Sequence, residues 1–174
     1  MDLFVRHPDN PILTVDAWPY PVSSVLNPGA TLTPDGQTLL LCRVEDRRGI
    51  SHLTVARSAD GLHDWHVQPT PLLAADEDDP TSRWGVEDPR ITRVDALDGW
   101  VVAYTALGPE GPCVALALTR DFVSAERLGV VMRTEDKNAC LLPRQIDGRY
   151  PVGQRGRRAL DAFAGGVVVI GDAR

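Results

Sequence analysis

The stretch Trp84-Gly85-Val86-Glu87-Asp88-Pro89-Arg90-Ile91-Thr92 sets two adjacent carboxylates, a proline and an arginine where a strand-like run begins. Proline fixes its own φ and steers the preceding residue away from helix, so Asp88 is expected on stiff, extended backbone. Alternation along a strand then puts Asp88 and Arg90 on one face, and turns Glu87 away from them to support the strand. A carboxylate held this firmly beside a cation suits work on a polar substrate. The same residues also read as an ion pair at a strand end.

Two further stretches could join it. Arg43-Val44-Glu45-Asp46-Arg47-Arg48-Gly49-Ile50-Ser51-His52 carries three guanidiniums and a flexible glycine. Clustered arginines are what bidentate recognition of phosphate or carboxylate requires, although such a loop also reads as a solvated charged turn. Lys137 is the one lysine among 18 basic residues, and it precedes Asn138. It is either a second cation for the same anion or a surface lysine. Asn, Asp and Arg together suit a ligand covered in hydroxyls, because each amide or carboxylate can bond two of them. A sugar and an anion in one pocket point to phosphorolysis of a glycosidic bond. There phosphate is its own nucleophile, so one carboxylic acid suffices where hydrolysis uses a pair.

The elements that must position these residues are strands. Residues 6–28 hold five prolines and no period of 2 or 3.6, and read as an extended lead-in anchored by Trp18 and Tyr20. From Ala30 onward, short apolar or alternating runs are separated by turn signals such as Pro34-Asp35-Gly36 and Ser58-Ala59-Asp60-Gly61. Nothing between residues 29 and 150 has the length and period of a helix. The pattern restarts twice. Each unit opens on a polar pair, Asn27-Pro28, Asp88-Pro89 or Asn138-Ala139, and reaches an Asp-Gly turn at 35-36, 98-99 or 147-148. Four strands per repeat at a period of ~40–60 residues is the mark of a β-propeller blade. The first strand of each blade lines the central channel, so Asn27, Asp88 and Asn138 are expected around one mouth of the axis. A β-sandwich would not repeat a polar residue at the head of every fourth strand.

Composition narrows the partners. A chain of 174 residues suits one domain, and a net charge of −6 with a pI near 5.1 argues against nucleic acid or an anionic membrane as partner. The first residues lack the apolar core of a signal peptide, and no run approaches the ~18–20 apolar residues that span a bilayer, so a cytoplasmic protein is expected. Cys42, Cys113 and Cys140 lie in apolar runs without C-x-x-C spacing and read as buried free thiols, not disulfides or metal ligands.

The motifs R-V-E-D-R-x-G-x-S-x-L at 43–53, G-V-E-D-P-R-I-T at 85–92 and E-D-K-N-A-C-L-L-P at 135–143 resemble the β-mannoside phosphorylases and mannosidases of glycoside hydrolase family 130. Asn27-Pro28 and S-x-D-G-x-x-x-W at 58–65 also fit. The resemblance implies a five-bladed β-propeller that releases α-mannose 1-phosphate from β-mannosides with inversion. It implies Asp88 as general acid, passing its proton through a hydroxyl of the mannose. Asn27, Arg43 and Asn138 would hold the mannose or the neighbouring phosphate, with Arg47, Lys137 and Arg90 as further phosphate candidates. Inorganic phosphate is the co-substrate, and no metal or resident cofactor is expected.

Five blades need well over 200 residues, and this chain provides for about three. The expectation is a partial propeller over residues 1–150 and an atypical Gly-, Ala- and Arg-rich tail over 151–174, from a frameshift or truncation, with self-association through open sheet edges. Three other functions remain open: a β-mannoside hydrolase of the same family, a non-catalytic carbohydrate-binding module, and a degenerate fragment.

Overall fold

The apolar runs fold as strands of two antiparallel meanders and the opening of a third, in a computed structural model that describes residues 3, 5–133, 137–146, 148–154 and 167–168. The first meander is β1 (Ser24–Leu32), β2 (Thr38–Glu45), β3 (Ser51–Ser58) and the short β4 (His66–Val67). The second is β5 (Gly85–Val94), β6 (Gly99–Gly108), β7 (Gly111–Thr119) and β8 (Glu126–Met132). The third shows β9 (Ala139–Leu141), β10 (Tyr150–Gln154) and β11 (Val167–Val168), paired in the order β11-β10-β9. Within each meander successive strands pair antiparallel, and a single parallel bridge from Ser51 to Gly85 links the first to the second. These are propeller blades, each with its first strand innermost. Asp147 of the third turn, Glu135 and Asp136 of the third motif, and most of the expected tail lie outside the described residues.

Why β6 reads Gly-Trp-Val-Val-Ala-Tyr-Thr-Ala-Leu-Gly without alternation becomes clear from its two faces. Trp100, Val102, Tyr104 and Ala106 pack toward blade one with Leu39, Leu41, Leu53 and Val55, while Val101 and Ala103 pack toward blade three with Leu141, Tyr150 and Val152. A strand covered on both sides has no solvent face to keep polar. Each fully buried Leu, Val or Phe in these layers, such as Phe122, contributes ~1.5–3 kcal/mol. The far side of blade one is covered by the lead-in: Trp18, Tyr20, Leu13 and Val22 pack on Cys42 and Val44. The lead-in is not extended throughout, since a 3-10 turn forms at Val15–Ala17 and β1 begins at Ser24.

Cys42 and Cys113 are buried free thiols, and burial pushes Cys42 up to about 12. Cys140 corrects the expectation for it: it is a free thiol but exposed, because alternation in β9 buries Ala139 and Leu141 instead. Among the described residues no helix is long and apolar enough to cross a membrane.

Candidate active site at the convergence of the first strands

The three polar pairs that open the repeats occupy matching backbone. In β1 the register jumps between Leu26 and Gly29, so that Asn27-Pro28 stand opposite one residue of β2. In β5 it jumps between Glu87 and Arg90, with Asp88-Pro89 opposite one residue of β6. Each is a β-bulge, and proline fits there because a bulged residue need not donate to the ladder. Asn27, Asp88 and Asn138 have φ of 40°, 50° and 65°. Asn and Asp enter this left-handed region more readily than other residues with a Cβ.

Asp88 is therefore not extended, as its place before a proline suggested. The bulge also breaks the alternation that was to put Glu87 and Asp88 on opposite faces.

The first strands meet closely. Thr92 of β5 donates its hydroxyl to the carbonyl of Leu141 at 2.9 Å. A cavity of about 470 Å³ lies between β1, β5 and β9, lined by Gly29, Ala30, Arg90, Thr92, Cys140 and Leu141 among others. Asn27, from blade one, donates its amide to Oδ1 of Asp88 at 2.9 Å. Arg43 of β2 places Nη1 3.3 Å from the same oxygen. Among the described residues Oδ2 of Asp88 has no protein partner. The Asp88 side chain is only 12% exposed, so the acid is held on one oxygen and open on the other.

Arg43 is itself fixed from several sides. Its Nε donates to Ser51 Oγ at 3.0 Å, and Nη2 lies 3.2 Å from Glu87 Oε1 and 3.7 Å from Glu45 Oε2. Glu87, expected to turn away, instead points into this cluster with its side chain 8% exposed, and its Oε2 meets Lys137 Nζ at 3.2 Å. The bulge after it is the reason, since alternation cannot be carried through an extra residue. Arg90 turns to the blade-three side, where Nη2 donates to Asn138 Oδ1 at 3.4 Å and Nη1 to the carbonyl of Pro89 at 3.0 Å.

The structure thus brings together Asn27, Arg43 and Asp88 on one side and Arg90, Lys137 and Asn138 on the other, with Glu87 between. The other arginines of the 43–52 stretch go elsewhere: Arg48 pairs with its own Asp46 at 2.8 Å, and Arg47 is exposed in the β2–β3 turn. Ser51 and Glu87 join the set unforeseen. Ser51 could have been found from the hairpin register that pairs it with Glu45 in the row beside Arg43.

Comparison with known proteins finds relatives of the chain and of its fold. A β-1,2-mannobiose phosphorylase of Listeria innocua is 32% identical over 101 residues, 58% of this chain and 27% of its own length. A β-1,4-mannooligosaccharide phosphorylase of Ruminococcus albus is 27% identical over 155 residues, 86% of this chain and 45% of its own. The solved structure of the Listeria innocua β-1,2-mannobiose phosphorylase with β-1,2-mannobiose superposes with a TM-score of 0.71 at 21% identity, over 84% of this chain and 56% of that one. The chain thus spans at most about half the length of these relatives, and its blades are those of a five-bladed propeller. The family model described as β-1,4-mannooligosaccharide phosphorylase matches residues 11–163, and the chain belongs to that family, glycoside hydrolase family 130.

Proposed function

We propose that the chain serves the inverting phosphorolysis of β-mannosides. A phosphate oxygen attacks the anomeric carbon, the bond from that carbon to the glycosidic oxygen breaks, and the leaving oxygen takes up the proton that Asp88 supplies by way of a mannose hydroxyl. The products are α-mannose 1-phosphate and the shortened saccharide. The observation that carries this reading is the geometry at Asp88: Oδ1 is held by Asn27 and Arg43, and Oδ2, without a partner among the described residues, is the oxygen turned to the reaction. One acid is enough because phosphate arrives as a nucleophile.

The cations support phosphate as that nucleophile. Both hydrogen-bond partners of Arg90 among the described residues are neutral oxygens, and no described carboxylate pairs with it. Arg90 and Lys137 flank Asn138, and we assign the phosphate to them. The mannose is assigned to Asn27, Arg43 and Asn138, and Arg47 at its turn is left out. Inorganic phosphate is a co-substrate, and the chemistry calls for no resident cofactor or metal. A sugar phosphate product is retained inside a cell, which supports a cytoplasmic setting.

The test is incubation of the purified chain with short β-mannosides, with and without inorganic phosphate, followed by phosphorus and proton NMR. Phosphate-dependent appearance of α-mannose 1-phosphate is expected. Free mannose in the absence of phosphate would overturn the reading in favour of hydrolysis, and binding of mannosides without turnover would overturn it in favour of a binding module.

A further inference from the structure

We infer that Glu87 is an internal counter-ion of the phosphate seat, a positioning residue that holds Lys137 until inorganic phosphate takes its place. The inference rests on the phosphorolytic reading above. Three observations carry it.

The Glu87 carboxylate is nearly closed to solvent yet bridges cations from two different blades, with Oε1 on Arg43 of blade one and Oε2 on Lys137 at the head of blade three. A buried carboxylate with only one cation would be costly, and this one has two. The two cations are unequally held. Arg43 keeps Ser51 and Asp88 when Glu87 is removed, whereas Glu87 is the sole ion-pair partner of Lys137 among the described residues. Lys137 is also the more exposed of the two, at 42% against 18% for Arg43, so it is the one free to move toward an incoming ligand.

Consequences follow from charge alone. A phosphate approaching Lys137 and Arg90 must compete with a fixed carboxylate for the ammonium, and is repelled by it at short range. Glu87 therefore weakens phosphate binding, and in exchange it holds the Lys137 ammonium in place in the absence of the anion. The arrangement sets affinity lower than the cations alone would give, which lets phosphate, and then a phosphorylated product, leave the pocket.

Calorimetric titration of the full chain with inorganic phosphate tests this. Glu87→Gln, which keeps the shape and removes the charge, is expected to bind phosphate about tenfold or more tightly than the wild type. The gain is expected to vanish in the Glu87→Gln/Lys137→Met double variant relative to Lys137→Met alone, because released Lys137 is its source. Glu87→Asp, which draws the carboxylate back from Lys137, is expected to lie between wild type and Glu87→Gln, and carries the test should the glutamine variant fold poorly. Affinity equal to or below wild type in both single variants overturns the inference, as does a gain that persists without Lys137. A failed phosphorolytic reading shows itself separately, as mannose release by the wild type that does not depend on phosphate.

Discussion

Asn27 and Asp88, 61 residues apart, share a hydrogen bond of 2.9 Å, and both stand at positive φ in equivalent bulges of successive blades. The bond joins the innermost strands of blades one and two at the residue proposed to carry the proton. Because each partner is fixed by its own bulge, the contact needs no adjustment of either backbone. The acid is positioned by the fold before any substrate enters.

Asp88→Asn follows first. The amide keeps the shape and tolerates the left-handed backbone, but has no acidic proton to give. Phosphorolysis of a short β-mannoside is expected to fall by ~10²–10⁴-fold in kcat/KM, the range for loss of a general acid. The melting temperature should stay within a few degrees of the wild type. A comparable loss of folding would mean that Asp88 serves the strand more than the reaction.

Asn27 separates positioning from strain. Asn27→Gly removes the donor to Asp88 and leaves a backbone that accepts φ of 40° freely. Asn27→Ala removes the same donor but leaves a Cβ in the left-handed region without the amide that makes Asn tolerant of it, which costs ~1–2 kcal/mol relative to glycine. Both variants are expected to lose activity alike, by about tenfold, while denaturant unfolding shows only the alanine variant destabilised by that amount.

What was legible in the sequence had a physical reason to be. An Asx residue at recurring distances, followed by proline in two of the three cases, announces both the blades and the convergence of Asn27, Asp88 and Asn138, since a first strand in every blade must line the axis. What failed was the inference from alternation. A regular strand through Asp88-Pro89 turns Glu87 away from Asp88, and the bulge breaks that regularity at the one place where it matters. A proline inside a strand run is itself the warning, because it cannot donate to a ladder. Arg47 and Arg48 show the complementary error. Three arginines in one loop looked like one cluster, but only Arg43 lies within the paired part of β2, and the turn sends the others outward.

The buried His52 gives the fold a pH dependence. Its ring packs beside Tyr20, whose hydroxyl lies 3.0 Å from Nε2 and 2.7 Å from Thr54 Oγ1. Burial lowers the His52 pKa below 6.5, outweighing the charge of Asp46, which acts the other way. As pH falls below about 6.5 the unfolded chain takes up a proton at this histidine that the folded chain resists, so stability decreases from there down to the depressed folded value. Melting temperature measured between pH 7.5 and 5 is expected to fall more steeply in the wild type than in His52→Gln. Parallel curves would remove His52 as the cause.

Gly29 tests whether the close approach of blades one and two serves the site. Its φ is ordinary, so only space forbids a side chain there: a Cβ would lie 2.9 Å from the carbonyl oxygen of Pro89 and 3.1 Å from Ile91 Cγ1. Pro89 belongs to the bulge that sets Asp88, so Gly29→Ala must push that bulge away from Asn27. Overpacking of this kind costs ~1–3 kcal/mol. Gly36 supplies the control, since at φ of 84° with no atom within 4 Å an alanine there meets backbone strain of similar size in a turn outside the site. The two variants are expected to lose comparable stability in denaturant unfolding, but only Gly29→Ala should lose activity, by tenfold or more in kcat/KM. If both keep their activity equally, the Asn27–Asp88 contact tolerates displacement, and the rigidity ascribed to the paired bulges is not what positions the acid.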